Sequence, residues 1–117
     1  MKTLLIVDDE DIILDMLCEF FDFKGFNVLS AENENDAKKI FAEHKDSIEV
    51  VILDMLLKHT TSDDLFFHLM KVKPSLKVVI SSGLSKDDCD PDVAEKTFSF
   101  VKKPYIMEDL YNLIENA

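Results

Sequence analysis

The sequence predicts an α/β domain built on a doubly wound, five-stranded parallel sheet with helices on both faces. Three observations carry that expectation. The wholly apolar runs Leu4-Leu5-Ile6-Val7, Val50-Val51-Ile52-Leu53 and Val78-Val79-Ile80, and the short mixed run Phe98-Ser99-Phe100-Val101, each end in charged or polar loop signals. Short apolar runs of this kind read as strands buried on both faces, and such strands belong to parallel sheets covered by helices. The segments between them carry helix-period stripes, so the connections are crossovers, and right-handed crossovers cover both sides of a sheet. Finally, 117 residues with 47% hydrophobic and 32% charged content suit one domain around a core that needs no staples.

Taken in order, Leu4–Val7 is the first strand. Ile12, Ile13, Met16, Leu17, Phe20 and Phe21 then form an amphipathic stripe, and Lys24-Gly25 stops that helix because glycine accepts φ > 0. Phe26 to Ser30 reads as a strand. Ala37, Ile40 and Phe41 mark a second helix from about Asn35 to His44. After the third strand, Leu65, Phe66, Leu69 and Met70 mark a helix capped by Thr61 or Ser62 and closed by Pro74. The stretch Ser85 to Lys96 is acidic and broken by proline, so its helix is short and starts near Pro91. Ile106, Met107, Leu110, Leu113 and Ile114 mark the last helix. Residues 1–117 show no linker, repeat or low-complexity tract and read as one domain.

Charge narrows the function classes. Thirteen basic against 24 acidic residues give a net charge of −11, and no basic stretch exceeds Lys102-Lys103. Direct binding to nucleic acid or anionic membrane needs clustered Lys or Arg, so neither is expected. The apolar N-terminal stretch is too short for a signal peptide or a spanning helix, which points to the cytoplasm. Cys18 and Cys89 match no metal or redox spacing and read as a core thiol and a loop thiol in a reducing compartment.

The strand ends carry the chemistry. In an open parallel sheet, ligands bind outside the carboxyl ends of the strands. There the sequence places Asp8-Asp9-Glu10-Asp11, Asp54, Ser81-Ser82-Gly83 and Lys102-Lys103-Pro104. An aspartate that attacks a phosphoryl donor brings two anions together, and an oxygen-held Mg²⁺ relieves the repulsion. Phosphoryl transfer is then mostly positioning and charge stabilisation. In this set Asp54 suits the nucleophile, Asp8 and Asp9 the metal acids, Ser82 a hydroxyl donor and Lys103 a cationic clamp. Blander roles exist for each: the acids of 8–11 as a solvated loop with Asp11 as helix cap, Asp54 as a strand terminator, Ser82 as a structural hydroxyl, Lys103 as a solvated surface lysine, Phe100 as core, and Lys102, His44 and His68 as surface residues. His59 lies in the loop after Asp54, within possible reach of the phosphoryl site.

At these motifs the chain closely resembles the receiver domain of two-component response regulators in its single-domain, chemotaxis-regulator-like form. The matching pieces are Leu4-Leu5-Ile6-Val7-Asp8-Asp9-Glu10, Ser30-Ala31-Glu32-Asn33, Val51-Ile52-Leu53-Asp54-Met55, Val79-Ile80-Ser81-Ser82-Gly83 and Phe100-Val101-Lys102-Lys103-Pro104-Tyr105. The resemblance implies a flavodoxin-like fold with strand order 2-1-3-4-5. It implies a phosphorylation-dependent signalling switch: Asp54 accepts a phosphoryl group from a histidine kinase or phosphotransfer protein with Mg²⁺, and contacts with a downstream protein change. The metal ligands implied are Asp9, Asp54 and the Leu56 backbone carbonyl, with Asp8 acting through water. Ser82 stands for the family's hydroxyl, Phe100 occupies the aromatic switch position, and a cis Lys103-Pro104 bond is expected. The domain would be a regulatory phosphoacceptor rather than an enzyme, catalysing only its own aspartyl phosphorylation and dephosphorylation, and would be a monomer or weak dimer. Leu56 and Leu84 would lie beside the path of the hydrolytic water. Two departures stand out: the family's proline and glycine after the nucleophile are Lys58 and Ser62 here, and the fourth-helix region is unusually acidic.

Other readings compete. A degenerate receiver would serve as a constitutive protein-binding module, but the sequence keeps all five site residues. An aspartate-nucleophile phosphatase normally needs a second acid two places after the nucleophile, where this chain has Leu56. A flavin-binding domain would want a Ser/Thr/Gly-rich loop after the first strand, where four acids stand.

Overall fold

The computed structural model describes residues 2–57, 60–83 and 90–117, with backbone alone at residues 60 and 61. Five parallel strands, β1 (Thr3–Val7), β2 (Asn27–Ala31), β3 (Ile48–Asp54), β6 (Lys77–Ser82) and β7 (Ser99–Lys102), form one sheet in the order β2-β1-β3-β6-β7. Counting only these five in chain order, that is 2-1-3-4-5, as expected. Between β3 and the next helix lies a feature the sequence did not announce. Leu56–Leu57 (β4) and Thr60–Thr61 (β5) pair as a two-stranded antiparallel ribbon. Lys58 and His59, between the two, lie outside the described residues, as do Leu84 and Cys89.

Helices α1 (Asp11–Phe23), α2 (Glu34–His44), α3 (Asp63–Val72), α4 (Pro91–Lys96) and α5 (Met107–Glu115) divide between the two sheet faces. The alternation of the buried strands decides the division, because successive side chains point to opposite faces. Leu5 and Val7 of β1 join the cluster beneath α2, α3 and α4, with Phe41, Leu65, Phe66, Leu69 and Val93. Leu4 and Ile6 join the cluster beneath α1 and α5, with Leu14, Leu17, Phe21, Leu110 and Ile114.

Several local expectations hold and some need correction. Gly25 ends α1 at φ +95, a conformation that disfavours any side chain, with its N–H bonded to Asp22 O at 3.0 Å. The helix near Pro91 begins at that residue, capped by the Asp90 side chain on the Asp92 N–H. Strand β2 starts at Asn27 rather than Phe26, whose ring packs edge-on to Phe21. Asp11 is not a cap: it is the first residue of α1, and Glu10 holds the capping position without a side-chain bond. Ser62 likewise sits at the start of α3 without capping it. Its hydroxyl donates instead to the carbonyls of Asp54 and Met55.

At the far end of the sheet, Lys2 Nζ donates to the carbonyls of Ile114, Glu115 and Ala117 at 3.1, 3.1 and 2.8 Å. A cation at a helix C-terminus satisfies carbonyls that have no partner within the helix. Lys24 ties α1 to α5 through Glu108 at 3.0 Å and lies over the Tyr111 ring. Among the described residues, no helix is long and apolar enough to cross a membrane.

Candidate functional site

The parallel ladder runs one residue beyond the strands, and that extension sets the site. The Asp8 N–H donates to Ala31 O (3.1 Å), Met55 N–H to Ser81 O (2.9 Å) and Lys103 N–H to Ser82 O (2.6 Å). Asp8, Asp54, Ser82 and Lys103 are therefore fixed at one level, at the carboxyl edge of four adjacent strands. Asp8, Asp54 and Ser82 are also buried.

Lys103 Nζ is the hub. It lies 3.2 Å from Asp54 Oδ2, 3.4 Å from Asp8 Oδ2 and 3.5 Å from Glu10 Oε1. The other oxygens are also engaged: Asp54 Oδ1 accepts the Leu56 N–H at 3.2 Å, and Asp8 Oδ1 accepts the Glu10 N–H at 2.9 Å. Asp8, Asp9, Glu10 and Asp54 each offer a carboxylate oxygen, all within 4.8 Å of one another. Four hard anionic oxygens at that spacing, against one ammonium, fit a divalent cation such as Mg²⁺.

The electrostatics follow from burial and like charge. Burial pushes the Asp54 carboxyl up to about 6; Lys103 pulls it down, Asp8 adds to the rise, and the Leu56 N–H lowers it slightly. Burial pulls the Lys103 ammonium down, but Asp54, Asp8 and Glu10 outweigh it and hold the group above its ordinary value. Burial also pushes the neighbouring Tyr105 hydroxyl up to about 12, so it stays protonated throughout the working range.

The structure brings together Asp8, Asp9, Asp54, Ser82 and Lys103. Leu56 follows Asp54 by two residues, and its side chain is partly exposed beside the site. Phe100 is half-buried, packed on the cluster beneath α2–α4 from the second position of β7, two residues before Lys102. Two participants were missed. Glu10 joins the acid group and pairs with Lys103; its place beside Asp8-Asp9 was the available signal. Ser62 binds the backbone behind Asp54, which eight residues of separation hid.

Comparison with known proteins identifies the family and the fold. Residues 4–115 match the family described as the response regulator receiver domain. The Escherichia coli transcriptional regulatory protein GlrR is 29% identical over 97% of this chain, which spans only 26% of GlrR. The chain thus covers about a quarter of that relative's length. A response regulator receiver domain protein from Clostridium thermocellum superimposes with a TM-score of 0.90 at 30% identity, covering 99% of this chain and 93% of the other. The response regulator TrrA of Thermotoga maritima, solved in complex with Mg²⁺-BeF, gives a TM-score of 0.86 at 25% identity, covering 99% and 98%. TrrA has also been solved with the histidine kinase ThkA.

Proposed function

Because the chain belongs to the response regulator receiver domain family, we propose that it is a phosphorylation switch whose phosphoacceptor is Asp54. The observation that carries the reading is the Lys103 ammonium held by Asp54 and Asp8 at the edge of four strands. Residues 1–117 would form one receiver domain. Asp9, Asp54 and the Leu56 carbonyl would hold Mg²⁺, with Asp8 acting through water; the cation supplies charge neutralisation between carboxylate and phosphoryl oxygens. Antiparallel pairs alternate between bonded and non-bonded. The Ser62 N–H bond to Met55 O makes Leu56–Thr61 a non-bonded pair, so the ribbon ladder does not use the Leu56 carbonyl.

A carboxylate oxygen of Asp54 forms the new P–O bond as the donor's P–N or P–O bond breaks, and the leaving group takes the electron pair. Lys103 then follows the charge from the carboxylate to the phosphoryl oxygens, and Ser82 donates its hydroxyl to one of them. The Lys103 move reaches Phe100 along the last strand, which carries Phe100 and ends at Lys102, and the Ser82 move reaches it across the pairing of β6 with β7. The donor would be a histidine kinase or a phosphotransfer protein, and the output a changed contact with a downstream protein. We read the domain as a cytoplasmic monomer or weak dimer that acts on no outside substrate and binds no nucleic acid, the last in keeping with the charge of −11.

The test is mass spectrometry after treatment with acetyl phosphate. With Mg²⁺ the chain should gain one phosphoryl group, mapped to the peptide that contains Asp54. Equal labelling in excess chelator, or labelling on another peptide, would overturn the proposal.

The lifetime of the phosphorylated state is a second measurable property. Leu56 can neither donate nor accept a side-chain hydrogen bond, so its exposed edge cannot orient a water for in-line attack. Leu56→Asn should therefore lose its phosphate faster, by about tenfold if about 1.4 kcal/mol of water positioning is restored. Unchanged decay in this variant would show that Leu56 does not shield the site.

A further inference from the structure

We propose that Ser62 is a positioning residue for the phosphoacceptor. This rests on the reading of Asp54 given above and gives a role to the residue that stands where the family has glycine. Ser62 stands at the N-cap position of α3 with φ −96 and ψ 25, so its backbone has no need of glycine. It is 3% exposed, and it does not use its hydroxyl as a cap. A capping serine contributes about 1 kcal/mol to a helix. Here the hydroxyl turns back to the end of β3 and donates to the Asp54 and Met55 carbonyls, while the Ser62 N–H donates to Met55 O at 2.8 Å.

Those carbonyls belong to the two peptide units that aim the site. A peptide unit is planar, so holding its C=O fixes the direction of its N–H. The unit from Met55 to Leu56 has its carbonyl on Ser62, and its N–H on Asp54 Oδ1 at 3.2 Å. The unit from Asp54 to Met55 has its carbonyl on Ser62, and its N–H on Ser81 O at 2.9 Å. The hydroxyl has a single proton, shared between the two carbonyls and nearer that of Asp54, so it bridges the two planes rather than bonding each in full. It keeps the Leu56 N–H on one carboxylate oxygen and leaves the other to Lys103. Without it, the Asp54 carbonyl loses this donor and the Met55 carbonyl keeps only the Ser62 N–H.

The experiment compares Ser62→Ala, Ser62→Gly and Ser62→Thr with wild type in three readouts. These are the Mg²⁺ Kd by calorimetry, the rate of Asp54 labelling by acetyl phosphate, and the Leu56 amide signal in NMR spectra. Both variants lacking the hydroxyl should bind Mg²⁺ more weakly, on the order of tenfold as for other groups that orient a metal ligand. They should label more slowly and shift the Leu56 amide, while Ser62→Thr restores all three. If either Ser62→Ala or Ser62→Gly folds with wild-type Kd, rate and amide signal, the positioning role is wrong, whatever its melting temperature. Should the alanine variant not fold, the glycine variant decides. Wild type that takes no label would instead sink the phosphoacceptor reading itself, so the two failures are distinct.

Discussion

Asp54→Asn is expected to take no label from acetyl phosphate and, in metal-free buffer, to be more stable than wild type at pH 7.5 by about 3 kcal/mol. The loss of labelling follows because an amide is no nucleophile for phosphorus. The gain in stability follows from the raised pKa, about 6 in the fold against 3.8 ordinarily. A raised carboxyl binds its proton more tightly in the folded chain, so its contribution to stability falls as pH rises from about 4 to about 6 and stays lost above that. A tenfold change in proton affinity corresponds to about 1.4 kcal/mol, which sets the scale. Asparagine removes this penalty, and Lys103 keeps Asp8 and Glu10 as partners. Denaturant melts at a series of pH values check it: the difference between variant and wild type should shrink as pH falls from 6 towards 4. A variant that is less stable at pH 7.5, or a difference that ignores pH, contradicts the electrostatic account.

The second large effect concerns the cation. Asp9→Ala should raise the Mg²⁺ Kd by well over ~10-fold, since losing even an outer-shell partner costs about that much. Glu10→Ala should change it by no more than about threefold, because an exposed charge is screened by water. The Glu10 side chain is 61% exposed although its carboxylate lies within the acid group and touches Lys103. Asp9 is partly buried. Calorimetric titration is the method, as the chain has no tryptophan. Similar losses in both variants would overturn the assignment of Asp9 as a ligand in preference to Glu10.

The strand ends were legible because each couples two strong signals, an apolar run and a residue with chemistry to do. Asp8, Asp54, Ser82 and Lys103 stand where that coupling put them, and buried strands on both faces admit few other arrangements. What escaped was local hydrogen bonding. Thr61 and Ser62 carry the composition of a helix cap, yet the Ser62 hydroxyl finds two carbonyls across the loop. Asp11 carries the same composition, yet the helix begins at it and leaves Glu10 outside. The β4–β5 ribbon was equally silent. Leu56-Leu57 and Thr60-Thr61 are too short for periodicity to speak, and the register comes from the Ser62 N–H bond to Met55. Composition names the residues able to cap or to turn; the partner that wins is decided in three dimensions.

The hold of Lys2 on the end of α5 bears on folding kinetics. It joins positions 112 to 115 apart in sequence. Closing so long a loop is entropically costly and slow, and it can form only after most of the sheet is in place. It is therefore among the last contacts made, and its carbonyls at the frayed end of a helix are among the first released. Lys2 precedes β1, and Asp8 follows it. The five buried residues between them form the centre of the order β2-β1-β3, bonded on both edges. Loss of the Lys2 contacts thus stops at Thr3 and leaves the acids at the other end of the strand in register.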